Sequence, residues 1–203
     1  MIRKLCTGIA GVVCVLALSA PAVAAGLAPD ALVKSTMEEV LRVIKQNRDR
    51  RALVDIAEKK VLPHFDFATM TRLAVGKWWR EATPDQRKAL EDAFRTLLVN
   101  TYTTALSEQN AASPSFEVKP VQLAPGQDDV TVHSIVKPPD GQQVAIDYRM
   151  ELTAGGWKVY DVIVENLSLV TNYRSTFASE ISRSGIDGLI KALQAKNKQI
   201  GAS

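Results

Sequence analysis

Cysteine is nearly absent from this 203-residue chain, and its only two, Cys6 and Cys14, lie close to the start. From residue 26 onward no disulfide, thiol nucleophile or thiolate metal site can form. Histidine is equally scarce, with only His64 and His133 far apart in sequence. Without a third ligand type at metal spacing, they argue against a zinc site. The sequence lacks a G-x-S-x-G nucleophile elbow, an H-E-x-x-H helix and a glycine-rich phosphate loop. A charge excess of one sign is missing too. Setting aside Arg3 and Lys4 leaves 23 basic residues against 22 acidic ones from residue 26 onward. A nearly neutral chain carries no bulk field to attract nucleic acid or an anionic surface. There is no internal repeat and no low-complexity linker. We therefore assign no catalytic residue, no metal ligand and no cofactor. The one acid–base pairing worth weighing is His64 with Asp66 or Asp161.

What the chain does have begins with an export-like start. Arg3 and Lys4 precede an almost unbroken apolar run from Leu5 to Ala20, and Pro21 then gives way to Ala22-Val23-Ala24-Ala25. A basic start, apolar middle and small-residue end read as a signal peptide over residues 1–25. The run is shorter than the roughly 20 residues that span a bilayer. Residues 26–203 are then expected to form a single domain of ordinary size.

The first half of that domain reads as helix. Leu32, Val33, Met37, Val40, Leu41 and Ile44 recur at helical spacing after Pro29-Asp30. A second helix carries Leu53, Val54, Ile56, Ala57 and Val61 and stops at Pro63. Asp66 is placed to cap a third. Thr83-Pro84-Asp85-Gln86 combines a capping Thr, an initial Pro and a Gln at the third position, and opens a helix to about residue 109. Period two then takes over. Phe116 and Val118, with Pro120 marking an edge, lead to Val130–Val136, to Val144–Leu152, and to Trp157–Val164. Helix returns near Asn166 or Ser168, breaks at Gly185 and continues through Leu193. The tail from Lys196 is polar and is expected to fray. Helices segregated from an antiparallel meander define an α+β domain. Its apolar stripes suit a solid core as well as a cavity, because periodicity does not distinguish the two.

Several segments resemble the MlaC, or toluene-tolerance, family of periplasmic phospholipid-binding proteins. They are Val61-Leu62-Pro63-His64-Phe65-Asp66-Phe67 with Met70 to Arg80, then Ala82 to Arg87 leading to Phe94–Val99 and Thr101-Tyr102. Trp157 to Val162 follows, with Asn166 to Val170, Tyr173-Arg174, Phe177 and Gly185 to Ile190. The ordered set covers nearly the whole domain, and Ser107 to Ser115 is its least family-like part. The resemblance implies a cone-like fold related to nuclear transport factors, with an apolar pocket between sheet and helices. It implies a periplasmic, monomeric carrier with phospholipid as cargo. It also implies exchange between an outer-membrane lipoprotein/porin complex and the substrate-receiving subunit of an inner-membrane ABC transporter complex, maintaining outer-membrane lipid asymmetry. A different lipid, such as a hopanoid, is the alternative cargo.

For that pocket the residues best placed are Leu73, Leu98, Tyr102, Leu169 and Tyr173 from helices. From strands they are Ile146, Tyr148, Val162 and Val164. Each can equally serve as ordinary core. Arg72 and Arg174 accompany the family-like segments, as candidate salt-bridge partners or phosphate contacts. Trp78-Trp79 reads as a packing anchor.

Overall fold

A computed structural model describes residues 26–201, apart from residue 48, residues 109–113 and residues 139–140. The expected signal peptide therefore lies outside the described residues. Local chemistry sets the helix boundaries. Helix α1 (Pro29–Gln46) opens on a proline, whose missing N–H is no loss in a first turn. Asp49 caps α2 (Arg50–Ile56) by accepting the Arg51 amide at 2.8 Å. The helix expected to reach Val61 instead loosens into a π-helical turn, Ala57–Val61, and then a 3₁₀ turn, Leu62–His64. Pro63 cannot continue the α-helical ladder, so the chain leaves it by stages.

Asp66 caps α3 (Phe67–Val75), its carboxylate accepting the Thr69 amide at 2.8 Å and the Thr69 hydroxyl at 3.1 Å. Gly76 closes α3 at φ 65°, a conformation that a Cβ disfavours. A 3₁₀ turn, Gly76–Arg80, then carries both tryptophans, which are half-buried against the helical core. The capping box before α4 (Pro84–Glu108) forms as expected. Gln86 N–H donates to the Thr83 hydroxyl at 3.2 Å, and the Gln86 side chain accepts the Thr83 amide at 3.0 Å.

The strands are β1 (Ser115–Val118), β2 (Asp129–Lys137), β3 (Val144–Thr153), β4 (Gly156–Val164) and β5 (Leu167–Ser168). They form one antiparallel sheet in sequence order, with β1 at an edge. The two-residue β5 was not expected from the sequence. It exists because Glu165 and Asn166 both take left-handed φ, 49° and 66°, in a tight reversal of the chain. Glu165 is also strapped to β3. Its amide donates to the Ala145 carbonyl at 3.0 Å, and its carboxylate accepts the Ala145 amide at 2.5 Å. A register shift beside Arg149 and Met150 pairs Arg149 with Asp161 and Met150 with Val159, leaving Tyr160 as an extra residue.

Helix α5 (Leu169–Gly201) is interrupted at Gly185, φ 71°, the break expected there. The frayed tail is a correction. The helix runs on through Gly201, and Asn197 donates to the Ala93 carbonyl of α4 at 2.8 Å. Arg50 of α2 donates to the Ile200 carbonyl at 3.2 Å. Leu193 and Ile200, two turns apart, carry the apolar stripe through a lysine-rich stretch that looks polar when averaged.

Two apolar cores result. One joins α3, α4 and α5 around Met70, Leu90, Phe94, Phe177 and Leu189, with Tyr160 of β4 added. The other places Leu32 and Val33 of α1 on Val130, Val132, Met150, Trp157 and Val159 of the sheet. Phe65 packs against both. Its segment lies along the outer edge of β4 through a parallel bridge to Val159, where the Asp66 amide donates to the Val159 carbonyl at 2.9 Å.

Candidate functional site

The nine residues expected to line a pocket divide between helices and sheet. Leu98 is buried in the helical core, and Leu73 and Tyr173 are half-buried against it. The Tyr173 ring packs on Phe94, centroids 4.9 Å apart and nearly edge-on, and on Phe177 at 5.5 Å. Tyr102 is 43% exposed, while Leu169 is half-buried and belongs to neither core. Desolvation, reinforced by the neighbouring Tyr173, pushes the Tyr102 hydroxyl up to about 12. Desolvation raises Tyr173 as well, so both phenols are neutral at ordinary pH.

The four strand residues share one face of the sheet. Register places Tyr148 opposite Val162 and Ile146 opposite Val164. Tyr148 and Val162 pack against the sheet core beneath α1. The Tyr148 hydroxyl donates to the Met37 sulfur of α1 at 3.7 Å. Burial raises its pKa, and contact with Ser134 opposes the rise. Ile146 and Val164 are different. They are half-buried, as are Val136 and Val144 nearby, and none of these four belongs to either core among the described residues. Leu167, paired with Val164, is 72% exposed. Among the described residues these four therefore mark an apolar end of the sheet that lies outside both cores.

Two open clefts flank α1. One of about 480 Å³ is lined by Leu27, Leu32, Ser35, Thr36, Glu38, Glu39, Arg42 and His64. The other, about 320 Å³, is lined by Glu38, Leu41, Arg42, Lys45, Gln46 and Phe116. Leu41 stands out in the sequence as part of a helical stripe, and Phe116 as part of an alternating strand. Their meeting is a tertiary fact with no local signal.

The acid–base pairing finds its carboxylates committed elsewhere. Asp66 is the α3 cap. Asp161 is 2% exposed and accepts the Ser168 hydroxyl at 2.7 Å and the Val170 amide at 3.1 Å, fixing the start of α5. His64 is half-buried in the wider cleft, and desolvation, then the charge of Lys158, lowers its pKa. His133 is exposed and its Nδ1 lies 2.8 Å from Asp147. Among the described residues no cluster of three or more His, Cys, Asp or Glu could hold a metal ion. Nor is any described helix long and apolar enough to cross a membrane.

The two arginines are both exposed. Arg174 uses its Nε to donate to the Leu73 carbonyl at 2.8 Å, a backbone clamp rather than the salt bridge weighed from sequence. Arg72 forms no ion pair among the described residues. Trp78 and Trp79 act as packing anchors, with the Lys77 ammonium 4.6 Å from the Trp78 ring and the Arg87 guanidinium 5.4 Å from the Trp79 ring.

The family model described as MlaC protein matches residues 34–195. Toluene tolerance protein ttg2D of Pseudomonas putida is 27% identical over 165 residues, 78% of this chain and 75% of that protein. The intermembrane phospholipid transport system binding protein MlaC of Haemophilus influenzae is 20% identical over 179 residues, 84% of this chain and 83% of that one. Among solved structures, a phospholipid-binding protein from Ralstonia solanacearum, in complex with a phospholipid, superposes with a TM-score of 0.76 at 36% identity. That match covers 85% of this chain and 98% of the other.

Proposed function

The chain belongs to the MlaC family, and from that premise we propose that it is a periplasmic phospholipid carrier and not an enzyme. Residues 1–25 direct its export and are then removed. In the periplasm it passes phospholipid between an outer-membrane lipoprotein/porin complex and an inner-membrane ABC transporter complex, maintaining outer-membrane lipid asymmetry. The observation that carries this reading is the near end-to-end likeness to a phospholipid-binding protein solved with its lipid. The apolar end of the sheet around Ile146 and Val164, outside both cores among the described residues, supports it, because acyl chains need such a surface. The helix-capping duties of Asp66 and Asp161 take both carboxylates out of the one acid–base pairing weighed from the sequence.

Shelter is the whole of the mechanism. Each buried methylene contributes about 0.8 kcal/mol, so two chains of about 16 carbons gain on the order of 25 kcal/mol gross. A lipid held so firmly leaves only when a docked partner offers its tails another apolar path. The head group can stay in water, which fits a nearly neutral chain.

Lipid extraction and native mass spectrometry of the protein, purified without added lipid, test this. A diacyl phospholipid near one-to-one is expected. A polycyclic lipid in its place would change the cargo, and repeated lipid-free preparations that also refuse phospholipid from vesicles would overturn the carrier reading.

A further inference from the structure

The narrower cleft, about 320 Å³ between α1 and the start of β1, has an apolar floor and a charged rim. Leu41 and Phe116, both half-buried, make the floor. Phe116 pairs with Val136, and Val136 with Val144, so the floor continues along the sheet toward Ile146 and Val164. On the rim, Glu38, Arg42 and Lys45 are exposed and follow one another at helical spacing. Arg42 is held by Glu39 at 3.3 Å. Neither Lys45 nor Glu38 forms an ion pair among the described residues. An oily floor, a free cation and a free anion on one rim match the pattern of an amphiphile whose polar end carries both charges.

We propose that this cleft is the portal and head-group site for a zwitterionic, amine-bearing phospholipid. The acyl chains pass over Leu41 and Phe116 onto the sheet face. The phosphate rests beside Lys45, and the ammonium faces Glu38. The inference rests on the carrier reading and deepens it by naming a head-group class.

The experiment offers the protein vesicles of phosphatidylcholine containing either phosphatidylethanolamine or phosphatidylglycerol, and follows uptake by native mass spectrometry. The wild type is expected to favour phosphatidylethanolamine. Glu38→Lys should shift the ratio toward phosphatidylglycerol by about tenfold, and Lys45→Glu should weaken uptake of both by about tenfold. Leu41→Trp, which fills the floor, should slow loading of both lipids. Lys191→Glu, on an exposed part of α5 outside the cleft, should change neither ratio nor rate. Glu38 and Lys45 are exposed, so their variants fold and report directly. Wild-type ratios and rates in all three cleft variants would overturn the proposal while leaving the carrier reading intact. Failure of the wild type to take up either lipid would sink the carrier reading itself.

Discussion

Asp161 of β4 accepts the backbone amide of Val170, the second residue of α5, at 3.1 Å. The same carboxylate takes the Ser168 hydroxyl at 2.7 Å, and that hydroxyl oxygen accepts the Thr171 amide at 3.0 Å. One buried carboxylate thus ties the start of α5 to the sheet, satisfying the Val170 amide directly and holding the Ser168 hydroxyl that satisfies Thr171.

Replacing Asp161 with Ala should therefore cost about 2 kcal/mol, the upper range for a lost cap in a buried setting. For a domain of this size that lowers Tm by roughly 4–8 °C. Differential scanning calorimetry checks it, and an unchanged Tm would refute the anchoring role.

Phe94 is fully buried and stands edge-on to both Tyr173, at 4.9 Å, and Phe177, at 5.1 Å. Phe94→Ala should destabilise by about 3–5 kcal/mol through the cavity it leaves. Urea unfolding measures this, and a loss below 1 kcal/mol would show that the core collapses to fill the space.

Among the described residues Ile146 belongs to neither core, so its change should separate binding from folding. Ile146→Asp is expected to reduce co-purifying phospholipid by on the order of tenfold, since a charge on an acyl-chain path is costly. Its Tm should fall much less than that of Phe94→Ala. Equal lipid content with a lowered Tm would mean that Ile146 serves packing alone.

Two groups give stability slopes of opposite sign with pH. Burial lowers the His64 pKa, so the unfolded chain binds its proton more readily, and this contribution fades as pH falls below about 6.5. His64→Asn should flatten that acid-side loss. Burial, and then its neighbour Asp66, raise the Glu151 pKa, and its Oε1 is buried without a hydrogen-bond partner. The folded chain keeps that proton longer than the unfolded one, so this contribution fades as pH rises through the folded pKa. Glu151→Gln should raise Tm at neutral pH, with the gain shrinking towards pH 4. Paired melting curves across pH read both slopes, and parallel curves for variant and wild type would contradict the assignment.

Legibility followed range. Asp66 as a cap and the Thr83–Gln86 box were readable because each works within four residues. Strand alternation was readable too, grouping Ile146 with Tyr148 and Val162 with Val164, but it also put Tyr160 with the latter pair, and the register shift beside Met150 sends Tyr160 to the helical core instead. Alternation gave no sign that Tyr148 and Val162 lie under α1 while Ile146 and Val164 do not. Asp161 gave no capping signal because its amide partner is nine residues on, across a reversal built by two left-handed residues. Ile200 was hidden among polar neighbours in sequence until the fold packed it against the helical core and set its carbonyl before Arg50 of α2.

By itself the sequence determined the alternation of helix and strand, the starts of α3 and α4 and the break at Gly185, because those rest on contacts or spacings within a few residues, and it determined the family through segments that recur in order along the chain. Tertiary structure alone decided that the apolar residues form two cores bridged by Phe65, and which apolar end of the sheet joins neither among the described residues. The reason is that hydrophobic burial is non-directional: a stripe specifies that a face will be covered, and only the packing of distant elements specifies by what.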